Sequence, residues 1–152
     1  MLKNIDPLLT PELLHALRSM GHGDTIAIVD ANFPAAATAS SGPNANAVLV
    51  RLPGANATQA ANAILSVLPL DDFVPQAAWC MAVVDDPEAN LPIMDEFQGL
   101  IKQHEDERFV LGKLERFAFY EEARKAYCVV STSETRLYGN LLLMKGVVRT
   151  AE

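Results

Sequence analysis

Met20-Gly21-His22-Gly23-Asp24 sets a histidine between two glycines, on bare backbone where its ring can meet a ligand. Imidazole is the one side chain whose unperturbed pKa lets it give and take protons near neutrality, so this run offers general acid–base transfer. Asp30 lies eight residues beyond His22, ahead of Asn32-Phe33-Pro34. Its carboxylate can pair with the imidazole or hydrogen-bond a bound molecule. A second polar cluster stands far along the chain. Arg116 and Tyr120 fall in Leu114-Glu115-Arg116-Phe117-Ala118-Phe119-Tyr120-Glu121, and Tyr138-Gly139-Asn140 precedes Leu141-Leu142-Leu143-Met144. A phenol and an amide at a sheet edge suit several hydroxyls of one polyol. Each feature also has a plain structural reading. Gly-His-Gly serves as a helix end and turn, Asp30 as a turn former, Arg116 as a surface ion pair, and Tyr138-Gly139-Asn140 as a turn with Gly or Asn at positive φ.

The elements that must hold these residues are read from spacing. Thr10-Pro11-Glu12 starts a helix: threonine caps, proline is preset for the first helical position, and an acid suits the helix dipole. Leu13, Leu14, Leu17 and Met20 follow at helical spacing, and Gly21 is the expected stop. Thr25–Val29 is a β-branched strand ended by Asp30. Residues 35–47 have loop composition without periodicity. Strands are predicted over Val48–Leu52 and Trp79–Val84, with a helix from Thr58 to Leu68 between them. A helix over Leu91–Glu107 turns Phe97, Leu100 and Ile101 inward. Phe109–Leu111 reads as a short strand and Phe117–Ala126 as a helix, with Phe117 and Phe119 in the core; Tyr127–Thr132 and Asn140–Lys145 are strands. Strands alternating with helices predict one α/β domain over residues 1–152, three layers with a mostly parallel sheet.

That order constrains the chemistry. At ~3.3 Å per residue, a fully extended chain would put His22 and Asp30 up to roughly 26 Å apart, more than one monosaccharide spans. Either the glycines fold His22 back, or His22 of one subunit meets Asp30 of another. The second arrangement makes a composite site at a subunit contact.

Bulk properties exclude other classes. The chain has 152 residues and net charge −7, with no basic stripe, so nucleic acid is not an expected partner. Cys80 and Cys128 sit in apolar, strand-like runs with no histidine nearby and read as small core hydrophobes. No targeting segment is seen ahead of the first helix, and no apolar run reaches the ~20 residues of a membrane span, which predicts a soluble, cytoplasmic protein. His15 and His104 read as structural or solvated. Metal-ligand spacing, a phosphate-binding glycine loop and a Ser-His-Asp arrangement are all lacking.

Taken in order, Met20-Gly21-His22-Gly23-Asp24, Asp30 with Asn32-Phe33-Pro34-Ala35, Arg116-Phe117-Ala118-Phe119-Tyr120-Glu121, and Tyr138-Gly139-Asn140-Leu141 ending in Lys145-Gly146-Val147 resemble the L-fucose mutarotase branch of the sugar mutarotase family that also contains D-ribose pyranase. Leu68-Pro69-Leu70-Asp71 fits as well. Gly23 and Gly139 favour the fucose branch over the ribose branch, which reads Gly-His-Thr and Tyr-Ala-Asn there. The resemblance implies a ribose pyranase-like fold and a cofactor-free isomerase interconverting α and β anomers of a free aldose, foremost L-fucose. It implies His22 as catalytic acid–base, with Asp30, Arg116, Tyr138, Gly139 and Asn140 binding the sugar and Tyr120 beside them. It also implies a homo-oligomeric ring, commonly a decamer, with sites near subunit contacts. The alternatives are pyranose–furanose interconversion of D-ribose and a non-catalytic sugar-binding regulator.

Overall fold

The computed structural model describes residues 1–150. Helix α1 (Pro11–Ser19) starts as expected, with Thr10 Oγ1 accepting the Leu13 N–H at 3.2 Å and Leu13, Ala16 and Leu17 buried. It stops earlier than Gly21, because Met20 turns extended (φ −60°, ψ 137°). The left-handed glycine of this stretch is Gly23, at φ 86°. Strand β1 (Thr25–Val29) follows, then α2 (Ala35–Ser41), β2 (Val48–Leu52) and α3 (Ala57–Leu65), which a capping box of Asn56 and Gln59 opens. The remaining elements are β3 (Ala78–Met81), α4 (Pro92–His104), β4 (Gly112–Leu114), α5 (Arg116–Lys125), β5 (Cys128–Thr132) and β6 (Leu141–Met144).

The strands form one sheet in the order β2-β5-β1-β6-β3-β4. β2, β5 and β1 pair in parallel, as do β3 and β4. β6 lies between β1 and β3 and runs against both, so the other five strands share one direction. Pleating sends Ile26 and Ile28 to one face, where they meet Leu13, Ile64, Phe97 and Ile101 of α1, α3 and α4. Ala27 and Val29 face the other way, onto Phe119 and Ala123 of α5 and Ala35 of α2. This is the expected three-layer, mostly parallel α/β architecture.

Four expectations need correction. Residues 35–47 are not all loop, since α2 occupies 35–41. Four of its seven residues are alanine, the best helix former, and Ala35 and Thr38 are buried beneath it. With no large apolar residue, this helix leaves no amphipathic trace. Phe117 is not core: it is 61% exposed, lying under the Arg116 guanidinium, whereas Phe119 is fully buried. Strand β4 begins after 109–111, where glutamine side chains take up the backbone groups. Gln98 bonds Phe109 O and Leu111 N, and Gln76 bonds Val110 O. Helix α4 ends at His104, because Glu105 leaves helical geometry and its carboxylate accepts the Leu70 N–H at 2.8 Å.

Candidate functional site

β1 separates the candidate residues into two groups, since His22 precedes the strand and Asp30 follows it. The His22 turn is pinned to the end of β6. Gly23 N–H donates to Lys145 O and Lys145 N–H to Asp24 O, both at 2.8 Å. Gly21 N–H donates to the Asp24 carboxylate at 2.7 Å. The Lys145 ammonium donates to the carbonyls of Leu17 and Met20, satisfying the open C-terminus of α1; burial lowers its pKa. The His22 side chain remains 45% exposed, with Nε2 2.9 Å from Asp71 Oδ1. Its ring lies tilted against Phe73, centroids 5.2 Å apart.

Asp71 is thus the carboxylate that meets the imidazole, a residue not singled out for any role by spacing. It is 3% exposed and reaches its place because its N–H donates to Met144 O at 3.1 Å. Gly146 permits this approach: a β-carbon there would lie 2.4 Å from Leu70 O. Forty-nine residues separate Asp71 from His22 along the chain, so only the register of β6 joins them. The local trace was its place in Leu68-Pro69-Leu70-Asp71.

The second group gathers where the parallel strands end, the position at which open α/β sheets collect ligands. Asp30 is buried. Its Oδ1 accepts the Asn32 N–H, and Asn140 holds it twice, donating from Nδ2 to Oδ2 and accepting the Asp30 N–H at Oδ1, each at 2.9 Å. Burial pushes the Asp30 pKa up against these hydrogen bonds. Tyr138 itself, rather than Gly139 or Asn140, carries the left-handed backbone of the turn, at φ 63°. Its phenol oxygen accepts the Val84 N–H at 3.1 Å. Gly139 is needed for space: a β-carbon would lie 2.6 Å from Glu134 Cγ and 3.0 Å from Ile93 Cδ1. Glu134 cannot yield, because Arg136 and Ala57 N–H hold its carboxylate.

Arg116 opens α5, with its guanidinium 4.5 Å from the Phe117 ring and its buried Nε without a partner. It lines a 580 Å³ cavity with Val84, Asp85, Glu88, Lys113 and Glu115. Tyr120, one turn on along α5, packs against Phe33 at 5.3 Å and Phe117 at 6.3 Å. Asp30, Arg116, Tyr120, Tyr138, Gly139 and Asn140 therefore share one end of the sheet, and His22 does not join them within one chain.

The remaining candidates stand outside both groups. His15 is exposed and His104 bonds Asn62 Oδ1 at 2.8 Å. Burial raises the thiols of Cys80 and Cys128 to about 11 and about 12, so neither is a ready nucleophile. Among the described residues no group of three or more His, Cys, Asp or Glu could hold a metal, and no helix is long and apolar enough to cross a membrane.

Residues 3–148 match the RbsD / FucU transport protein family. The chain is 45% identical over 150 residues to human fucose mutarotase, covering 97% of this chain and 94% of that one. Among solved structures, FucU from Bifidobacterium longum superposes with a TM-score of 0.88 at 44% identity, over 97% of this chain and 100% of the other. The fucose mutarotase of Streptococcus pneumoniae, solved in complex with L-fucose, superposes at 0.85 with 38% identity and the same coverage.

Proposed function

We propose that this chain, which belongs to the RbsD / FucU transport protein family, catalyses interconversion of the α and β anomers of L-fucose. The observation that carries this reading is His22, an imidazole on a glycine-flanked turn, open to a ligand on one side and braced by a buried carboxylate on the other.

The reaction asks little of a protein beyond placement and one proton shuttle. The anomeric hydroxyl loses a proton, the C1–O5 bond opens to an aldehyde, and the ring oxygen gains a proton. Rotation about C1–C2 and closure on the other carbonyl face give the second anomer. An imidazole near neutrality serves both transfers, contributing about 10²–10⁴-fold. Asp30, Asn140 and Tyr138 hold sugar hydroxyls, and Arg116 brings an unpartnered guanidinium N–H. The ring begins and ends neutral, so the equilibrium between anomers is left where water sets it.

One chain cannot present both groups to one sugar, because β1 stands between them. The site is completed across a subunit contact, with His22 of one subunit facing Asp30, Arg116 and Tyr138 of another. Exposed apolar side chains at both ends support this arrangement: Phe73 near His22, and Phe117 and Leu137 near the sugar-holding group. The family resemblance extends the reading to a decamer acting in the cytoplasm.

Magnetisation transfer between α and β anomeric protons tests the activity. L-Fucose should exchange faster with enzyme present, and faster than D-ribose or other aldoses. Exchange fastest on D-ribose would move the substrate to the other branch, and shifted resonances without faster exchange would make the chain a sugar binder.

A further inference from the structure

We infer that Lys145 is a positioning residue for His22, its ammonium taking the helix-end carbonyl that the His22 amide would otherwise claim and so holding the imidazole clear of α1. The inference rests on the reading of His22 as the acid–base.

A helix that runs into glycine commonly closes with that glycine left-handed just past the cap. The residue after it then donates its N–H back to a carbonyl of the last turn. With Met20 as the cap of α1, Gly21 and His22 hold those two places, and Leu17 O is the carbonyl concerned. The chain does not close this way. Met20 turns extended, Gly21 is not left-handed, and the Gly21 N–H donates to Asp24 Oδ2 at 2.7 Å. Among the described residues the His22 N–H meets no acceptor.

Lys145, arriving from the end of β6, takes over the capping. Its ammonium donates to Leu17 O at 2.8 Å and to Met20 O, so the last turn of α1 is satisfied without the His22 backbone. A cation also suits the negative end of the helix dipole. The Lys145 backbone fixes the far side of the same turn, accepting the Gly23 N–H and donating to Asp24 O, both at 2.8 Å. His22 is thus bracketed by bonds to one residue, while its ring stays 45% exposed. Without the ammonium, Leu17 O is left open. Gly21 then lets the chain take the usual ending, which draws His22 back over α1.

Lys145→Met keeps the apolar stem and removes the donors. Its kcat for L-fucose exchange should fall by about 100-fold, the effect of misplacing a reacting group by about 1 Å. KM should change little, because the sugar-holding group lies at the other end of the sheet. Adding Gly21→Ala to Lys145→Met should restore about tenfold, since alanine resists the left-handed turn. Its β-carbon has room, 3.6 Å from Asp24 Oδ2. Hydrogen exchange on the wild type needs no variant: the His22 amide should exchange as an unbonded one. Unchanged kcat in folded Lys145→Met, a loss that Gly21→Ala does not relieve, or a protected His22 amide in the wild type would each overturn the inference. If His22→Ala instead kept full exchange, it is the acid–base reading that would fall, which separates the two failures.

Discussion

Asn140 clasps Asp30 with both ends of its amide, donating to Oδ2 and accepting the backbone N–H, each at 2.9 Å. The clasp joins the end of β1 to the start of β6 and fixes a buried carboxylate where the sugar is proposed to bind. Replacing Asn140 by Ala leaves a buried carboxylate oxygen and a buried N–H unpaired, which costs about 1–3 kcal/mol. Chemical denaturation should show that loss, and the KM for L-fucose should rise. Equal stability and KM would mean the clasp supports neither fold nor site.

Asp30 also has a pH signature. Burial raises its pKa from the ordinary value, so the folded state holds its proton more tightly than the unfolded chain. Its contribution to stability is therefore complete below the ordinary value and is lost as pH rises through the raised one. Denaturation midpoints of Asp30→Asn, compared with wild type across this range, should lack that decline. Parallel pH profiles would assign the dependence elsewhere.

Glu134 behaves in the opposite sense. Hydrogen bonds from Arg136 bring its pKa down from 4.5 to about 2. The stability it contributes is present above 4.5 and disappears as pH falls towards about 2. Arg136 is 39% exposed, so solvent screening reduces the contribution to about 1–2 kcal/mol. Glu134→Gln should remove that part of the acid unfolding. Because Glu134 also walls Gly139, the variant should disturb the Tyr138 turn and raise the KM for L-fucose. Acid unfolding identical to wild type would leave the pair without a net role.

Gly146→Ala addresses the other end of the sheet. Its β-carbon would meet Leu70 O at 2.4 Å and Asp71 Cα at 2.7 Å, both backbone atoms that cannot turn aside. Displacement of Asp71 should cost about 1–3 kcal/mol of stability and lower kcat, while KM changes less. Loss of stability with kcat intact would detach Asp71 from the chemistry.

The composite arrangement has its own test. Under the proposal, His22→Ala and Asp30→Asn each damage a different half of the site. Unfolding and refolding the two variants together should recover activity that neither shows alone, because some contacts then pair an intact His22 with an intact Asp30. No recovery in mixed oligomers would place the whole site within one chain.

How far the molecule could be read in advance depended on whether a signal was local. Leu13, Leu17 and Thr10, or the run Thr25–Val29, announce their elements through spacing and capping, and the structure places them accordingly. Helix α2 was invisible because alanines carry helix propensity without amphipathic pattern. Chain length left two arrangements open, His22 folded back onto Asp30 or held apart from it, and β1 lying between them favours the second. Asp71 could not be matched to His22, since their contact is made only when β6 brings segments 21–24 and 69–71 to its end. The need for glycine at 139 likewise depends on a tertiary effect, crowding by Glu134, while the left-handed residue of that turn is Tyr138.

The most direct test is the rate of α–β exchange of L-fucose, measured by magnetisation transfer with wild type and with His22→Ala. His22 is exposed and its glycine-flanked turn is held by backbone hydrogen bonds, so the variant should fold as wild type does. The account predicts rapid exchange with wild type and a fall of about 10²–10⁴-fold in His22→Ala. Exchange at the wild-type rate in the variant, or none above background with the wild type, would contradict it.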